Sequence, residues 1–296
     1  IYIGGGRPVS FIWSRPLIFY KYYIMGTRGL VTLTKKDQDK IFAKLTSASK
    51  ETIDVRAEKT KLNNPQINLS NNELFESHVR NIAWKPMQNH GLNDSSIELY
   101  AEDQDWPMQV KAYLNLVKDE DLSAKRIVDI GCGWGRGVHT IAKYHKANIT
   151  GIDNEGQCIE YARQNYPQQR FLQDDQLNDD YDIIISVCSA HLLFETGFFN
   201  KKYNGTILIS DFFDRTSINE FKDAILKNYR IEEEIDQTQQ TVSAMEYDLA
   251  TLDARFRDKV PQESINIFRD IQQSRLHLFR MGANRQYKYK LYAKMD

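Results

Sequence analysis

The stretch RIVDIGCGWGRGVHTIA, residues 126–142, constrains the fold more than any other part of the chain. A short run of Ile and Val is followed by glycines at 131, 133, 135 and 137, and then by apolar residues at helical spacing. Glycine adopts backbone conformations that other residues avoid, and it lets another group approach the main chain closely. The pattern predicts a buried strand that turns sharply into a helix, with a ligand lying against the turn.

Further short runs rich in Ile and Val extend this strand into a sheet. They are ANITGID (147–153), RFLQ (170–173), YDIIISV (181–187) and TILISDF (206–212). One helical stretch lies between the strand that begins at 126 and ANITGID, and a second lies between ANITGID and RFLQ. Buried strands that alternate with helices are typical of a parallel sheet covered on both faces. The predicted fold class is therefore α/β, with a Rossmann-like, mostly parallel sheet.

The last third of the chain has a different pattern. TVSAMEYDLATLDARF places apolar residues three and four apart, which predicts a helix with one apolar face, and a second helix is predicted from near Pro261 to before Gly282. QYKYKLYAKM then alternates as a strand does. We interpret about 237–286 as a helical cap inserted into a ligand-binding domain that spans 119–296.

Residues 1–118 are predicted to form an N-terminal helical region or lid, with a polar linker near 46–75. Its segment FIWSRPLIFYKYYIMG (11–26) combines many aromatic residues with basic ones, and no small-residue cleavage site follows. This argues against a signal peptide. We expect an amphipathic segment packed on the domain, and contact with a membrane surface is the alternative.

Charge and cysteine usage exclude several functional classes. The formal net charge of −1 provides no basic field for nucleic acid, so no nucleic-acid partner is expected. No apolar run approaches the roughly 18 residues of a spanning helix, so no integral membrane span is expected. Three cysteines without a CxxC pair predict reduced thiols and a cytoplasmic protein. No pair of histidines has metal-ligand spacing, so no metal is expected.

The glycines discriminate between nucleotide ligands. A phosphate loop needs Lys-Ser or Lys-Thr after its last glycine, which is missing here, and the dinucleotide pattern GxGxxG fails because Arg136 or Val138 stands at its third glycine. The pattern that does fit is D-x-G-x-G-x-G, formed by Asp129, Gly131, Gly133 and Gly135. An acid beside exposed main chain suits a cationic ligand without phosphate, and S-adenosylmethionine carries an ammonium and a sulfonium.

A second acid follows at the end of the second predicted strand. Asp153 closes the run TGID, 22 residues after Gly131. A carboxylate at about this spacing accepts the hydroxyls of a ribose in nucleotide-binding folds. The alternative is a helix cap, because Asn154 and Glu155 begin the next predicted helix.

These motifs carry a family resemblance. VDIGCGWGRG, TGID, RFLQDD, YDIIISV and GTILISD, in this order and spacing, resemble a class I S-adenosylmethionine-dependent methyltransferase over about 120–212. More narrowly, FYKYYIMGTRGL (19–30), IELY (97–100), SAH (189–191), SDFF and YKLYAK resemble the phthiotriolone and phenolphthiotriolone methyltransferases, which O-methylate long-chain polyketide lipids. The resemblance implies a sheet whose last strand is antiparallel and an apolar small-molecule acceptor.

The resemblance also implies roles for individual residues. The glycine turn with Asp129 would hold the methionine end of the cofactor, Asp153 and Asn154 the ribose, and Asp175 with Gln176 the adenine. The complete set of expected cofactor contacts is Asp129, Gly131, Cys132, Gly133, Gly135, Asp153, Asn154, Asp175, Gln176 and Ser189. His191, just beyond the fourth strand, is the candidate general base, because a neutral imidazole can take a hydroxyl proton. The alternative for His191 is a structural histidine bonded within its loop.

The sequence departs from that narrower family in three places. The family's Pro-Gly-Gly before the fifth strand is Asn204-Gly205 here. The stretch DDQLNDD (174–180) is shorter than in the family, and Ser186 and Cys188 replace the family's Asn and Glu on the fourth strand. The leading hypothesis is O-methylation of a hydroxyl on an apolar natural product or lipid. The alternatives are C- or N-methylation of a small molecule and a catalytically inactive cofactor-binding partner protein, and a dinucleotide oxidoreductase is opposed by Arg136.

Overall fold

The computed structural model describes residues 89–295, apart from 175, 176, 178–180, 216, 258, 260 and 261. The predicted lid up to residue 88, including the linker 46–75 and the aromatic segment 11–26, lies outside the described residues. So does most of the loop 174–180, with Asp175 and Gln176.

The described part of the chain contains one seven-stranded sheet. Its strands are β1 (Ile127–Ile130), β2 (Ile149–Asp153), β3 (Arg170–Gln173), β4 (Ile183–Val187), β5 (Thr206–Asp214), β6 (Tyr229–Asp236) and β7 (Asn284–Ala293). The spatial order is β3-β2-β1-β4-β5-β7-β6. The strands β1 to β5 are parallel, while β7 runs antiparallel to both β5 and β6. The predicted Rossmann-like sheet with an antiparallel last strand is confirmed.

Seven helices accompany the strands in the described residues. They are α1 (Pro107–Val117), α2 (Arg136–His145), α3 (Gly156–Asn165), α4 (Ala190–Glu195), α5 (Ser217–Asn228), α6 (Thr238–Phe256) and α7 (Gln262–Arg280). Short 3₁₀ turns stand at Ala101–Asp103 and Phe198–Asn200. Within these helices, none is long and apolar enough to cross a bilayer.

Three elements were not predicted from the sequence: the strand β6, the helix α5 and the short helix α4, whose residues were expected as a loop after the fourth strand. Strand β6 is an edge strand, and most of its residues are exposed, so YRIEEEID lacks the apolar run that marks a buried strand. Helix α5 buries only Phe221 and Ile225, which leaves too weak an apolar period to identify it.

Both faces of the parallel sheet are buried. Successive side chains of a strand point to opposite faces, and in β1 Ile127 packs into one apolar cluster while Val128 packs into the other. The first cluster also holds Val110 of α1, Val138 of α2 and Ile159 of α3. Complete burial of the short strands explains why their sequences read as continuous apolar runs. It also leaves the strand ends as the places where polar groups can gather.

Candidate functional site

The glycine turn begins where β1 ends, at the carboxyl edge of the sheet. Gly131, Gly133 and Gly135 have φ of +77°, +55° and +81°, a region that favours glycine. The main-chain N–H groups of Gly131 and Cys132 both donate to the carbonyl of Ile152, at 2.8 and 3.0 Å. The turn is thereby tied to β2, and its backbone stays at the edge where ligands bind in such sheets.

Asp153 ties the glycine turn to the start of α3. Its Oδ2 accepts a hydrogen bond from the N–H of Gly133 at 2.8 Å, and its Oδ1 accepts one from the N–H of Glu155 at 2.9 Å. The bond to Gly133 fixes the middle of the glycine turn, and the bond to Glu155 closes a turn that ends where α3 begins. The side chain is buried, and it ends β2 at the same edge of the sheet as the glycine turn. Asn154, which follows it, is exposed.

Asp129 is a fully buried acid with one oxygen that is unpaired among the described residues. Its side chain is fully buried, Oδ2 accepts a hydrogen bond from the Tyr113 hydroxyl at 3.1 Å, and Oδ1 has no hydrogen-bond partner in the part of the chain that the structure describes. Burial raises the pKa of Asp129 to about 7; the Tyr113 hydrogen bond opposes this rise, and the charge of Asp153 adds to it. A buried, half-satisfied carboxylate is costly, so the site fits the ammonium of S-adenosylmethionine.

Two further expected cofactor contacts are Ser189, which lies beside the glycine turn, and Cys132, which lies within it. The Ser189 hydroxyl donates to the carbonyl of Ile130 at 2.9 Å and lies 2.8 Å from the Ser186 hydroxyl. A Cβ atom at Gly131 would lie 2.5 Å from the Cβ of Ser189. Cys132 is buried, and its Sγ lies 3.8 Å from the carbonyl of Gly133. These contacts shape the glycine turn from below.

His191 is paired with a carboxylate that the sequence did not identify. It lies in the first turn of α4, where its Nδ1 is 3.0 and 2.9 Å from the two carboxylate oxygens of Asp211, and its main-chain N–H donates to Oδ2 at 2.9 Å. Asp211, on β5, is fully buried. Because a carboxylate only accepts, Nδ1 carries the proton and Nε2 is the basic nitrogen. The motif SDFF at the end of β5 was the available signal for Asp211.

An aromatic wall adjoins this pair. The ring centroid of Phe212 lies 4.9 Å from that of His191 and 4.8 Å from that of His90, and Phe279 of α7 lies 5.4 Å from His90. Burial, followed by the charges of Arg275 and His191, lowers the pKa of His90 well below 6.5. These rings place apolar surface next to the His191–Asp211 pair, and α7 contributes part of that surface.

The interior next to this wall holds two more titratable groups. Burial raises the pKa of the Cys188 thiol, which stands at φ +52° directly after β4. Burial lowers the pKa of Arg275, on α7, to about 10, so its guanidinium remains charged at neutral pH. Within the described ranges, no group of three or more His, Cys, Asp or Glu side chains is arranged to hold a metal ion.

Comparison with known proteins supports this reading of the sheet. A family model described as "Methyltransferase domain" matches residues 127–200. The phthiotriol/phenolphthiotriol dimycocerosates methyltransferase of Mycobacterium leprae is 26% identical over 131 residues, which cover 36% of this chain and 48% of that relative. Other curated relatives are covered over only 26% of their length. The chain thus spans half or less of these proteins.

Solved structures resemble the described fold over a larger share of the chain. The cyclopropane synthase MmaA2 from Mycobacterium tuberculosis has a TM-score of 0.58 at 14% identity, covering 74% of this chain and 94% of that one. An O-methyltransferase from a trans-AT PKS multienzyme of Brevibacillus brevis, in complex with S-adenosyl-L-homocysteine, has a TM-score of 0.51 at 20% identity, covering 66% and 76%. Residues 127–200 therefore match a methyltransferase domain, and the sheet around them shares the fold of these solved structures.

Proposed function

We propose that the protein transfers the methyl group of S-adenosylmethionine to a hydroxyl of an apolar small molecule. The observation that carries this proposal is the His191–Asp211 pair at the carboxyl edge of the sheet, beside the strand ends that bear Asp129 and Asp153. One end of the site suits a cationic nucleoside, and the other end provides a base for an acceptor.

The cofactor side follows from the chain's own groups. Asp129 would pair with the ammonium, Asp153 and Asn154 would accept and orient the ribose hydroxyls, and the turn from Gly131 to Gly135 would lie along the methionine portion. Asp175 and Gln176 remain proposed adenine contacts. When bound, the sulfonium supplies an activated methyl group, so the protein need not generate the leaving group.

The acceptor side follows from the histidine pair. Nε2 of His191 would take the proton of the acceptor hydroxyl as its oxygen forms a bond to the methyl carbon, while the bond from that carbon to sulfur breaks and S-adenosylhomocysteine leaves. The buried Asp211 carboxylate would stabilise the resulting imidazolium. General-base assistance of this kind contributes about 10²–10⁴-fold in rate. The aromatic wall of Phe212, Phe279 and His90 favours an apolar body next to that hydroxyl and limits the access of water.

The remaining organisation is part of the same proposal. Helices α6 and α7 would act as a cap on the domain 119–296. No disulfide joins Cys132, Cys158 and Cys188, which suits a cytoplasmic enzyme that acts on a natural product or lipid.

The first test is direct binding. Calorimetry of the full chain with S-adenosylmethionine should show one site per chain, and absence of binding would overturn the proposal at its first step. The acceptor is then sought by incubating the protein and methyl-labelled cofactor with a host extract and reading mass shifts. Tight cofactor binding without turnover on such an extract would point instead to a non-catalytic partner protein.

The second test uses the histidine pair. His191→Asn should lower kcat by about 10²-fold or more, and Asp211→Asn should also lower it strongly because the tautomer is no longer fixed. His145→Asn, a change at the end of α2, is the matched control and should leave the rate intact. An unchanged rate in His191→Asn would favour the alternative of C- or N-methylation, since an amine attacks through its lone pair and needs less help from a base.

A further inference from the structure

The fourth glycine of the sequence motif, Gly137, and a tyrosine from outside the predicted domain, Tyr113, meet next to Asp129. Gly137 lies in the first turn of α2, where alanine would be the better helix former by about 1 kcal/mol. A Cβ atom there would lie 2.0 Å from Cζ and 2.5 Å from the hydroxyl oxygen of Tyr113. The bare position is what lets the Tyr113 ring lie against α2.

The ring so placed reaches one acid. The Tyr113 hydroxyl donates to Oδ2 of Asp129 at 3.1 Å, and both side chains are buried. Burial and then the charge of Asp129 hold the pKa of Tyr113 well above 10, so this hydroxyl remains a donor at neutral pH. The Tyr113 hydroxyl therefore keeps its proton and donates a hydrogen bond to the Asp129 carboxylate at neutral pH.

The carboxylate needs that donor. Asp153, at the end of the neighbouring strand, opposes the ionisation of Asp129 through its charge, and burial opposes it more strongly. The Tyr113 hydroxyl is the one group that favours the ionised form of Asp129 among the described residues. Negative charge on the thiols of Cys132 and Cys188 would also raise the pKa of Tyr113. These thiols therefore favour the protonated tyrosine hydroxyl, which is the donor to Asp129.

We propose that Tyr113, admitted by Gly137, is a positioning residue that keeps the Asp129 carboxylate ionised and turned toward the ammonium of S-adenosylmethionine. This inference rests on the proposed function. It assigns to α1, a helix of the predicted N-terminal region, a direct part in cofactor affinity. It also explains the fourth glycine, which the D-x-G-x-G-x-G pattern does not require.

The test is the pH dependence of cofactor affinity. S-Adenosylhomocysteine, which has the same ammonium, is titrated into wild type and Tyr113→Phe by calorimetry between pH 5.5 and 8.5. Loss of a hydrogen bond to a charged group raises the pKa of Asp129 further. The ratio of the variant Kd to the wild-type Kd should then grow roughly tenfold from pH 8.5 to pH 5.5, and titration of the ligand cancels in that ratio.

Controls separate positioning from folding. Tyr229→Phe removes another buried hydroxyl, which donates to the carbonyl of Lys201 at 2.6 Å, and its Kd ratio should stay near one. In an Asp129→Asn background, Tyr113→Phe should cause no pH-dependent change. Gly137→Ala, which displaces the ring, should reproduce the pH-dependent loss when the variant folds.

The outcomes are distinct. A Kd ratio for Tyr113→Phe that is constant across pH overturns the inference and leaves the proposed function standing, because a purely structural role would weaken binding equally at every pH. Failure of the wild type to bind the ligand at any pH overturns the proposed function, and this inference with it.

Discussion

The burial of Asp129 predicts a mutation that stabilises the protein while it damages the site. Replacing Asp129 with Asn keeps the shape of the side chain and an acceptor for the Tyr113 hydroxyl, but it removes the ionisable group. The pKa of this carboxyl rises from 3.8 to about 7 on folding, chiefly because it is buried. Folding therefore disfavours the ionised form of this carboxyl relative to the unfolded chain.

The sign and size of the effect follow by linkage. Below pH 3.8 the acid is neutral in both the folded and the unfolded chain, and its stabilisation is fully present. As the pH rises from 3.8 to about 7 the unfolded chain ionises first, so the free energy of unfolding falls by about 1.4 kcal/mol per pH unit from this group. The total loss is about 4 kcal/mol, and Asp129→Asn does not suffer it.

Urea unfolding of both proteins without cofactor, at pH 5 to 8, measures this difference. The variant should gain stability relative to the wild type by an amount that increases from pH 5 to pH 7 and then levels off, while the titration of all other groups cancels. The unpaired amide adds a penalty that is independent of pH and does not alter the slope. A stability difference that stays flat across this range would refute the reasoning.

Two further changes test the packing around the site. Gly131→Ala places a Cβ 2.5 Å from Ser189 at φ +77°, so we expect a lower Tm and weaker cofactor binding, and Ser189→Gly in the same chain should restore part of both losses; equal losses with and without the second change would contradict the contact. Asp248→Ala removes a buried acid that accepts from Gln109 at 2.6 Å and from Arg255 at 2.8 Å, and it should cost about 3–5 kcal/mol in urea unfolding. Asp253→Ala, which loses a partly exposed pair with Arg269, should cost less than about 1 kcal/mol, and similar costs for the two would disprove the distinction.

The sheet and the position of two acids at its edge could be anticipated because their signals are local. A parallel strand that is buried on both faces has a continuous apolar sequence. The carboxyl ends of neighbouring parallel strands lie at one edge of the sheet. Asp129 and Asp153 therefore had to lie near each other once β1 and β2 were recognised. Strand β6 and helix α5 escaped recognition for the same reason, since exposed elements carry little apolar pattern.

The pairing of His191 with Asp211 could not be predicted from local sequence patterns. His191 could be placed beyond β4, but its partner is 20 residues further along the chain. Only the pairing of β4 with β5, in which Val187 lies opposite Ser210, brings Asp211 beside it. The sequence contained the acid within SDFF and gave no reason to prefer it over other acids.

The contact between Tyr113 and Gly137 could not be predicted from the sequence. Nothing in the spacing of α1 marks one tyrosine among its apolar residues as a partner of Asp129, and a fourth glycine reads as part of a flexible turn. From the sequence alone came the strand edge, its glycine turn and its two acids, because these depend on contacts between near neighbours and on backbone geometry. The tertiary structure decided which carboxylate lies beside His191 and which hydroxyl reaches Asp129, because those contacts join side chains that are far apart in the sequence.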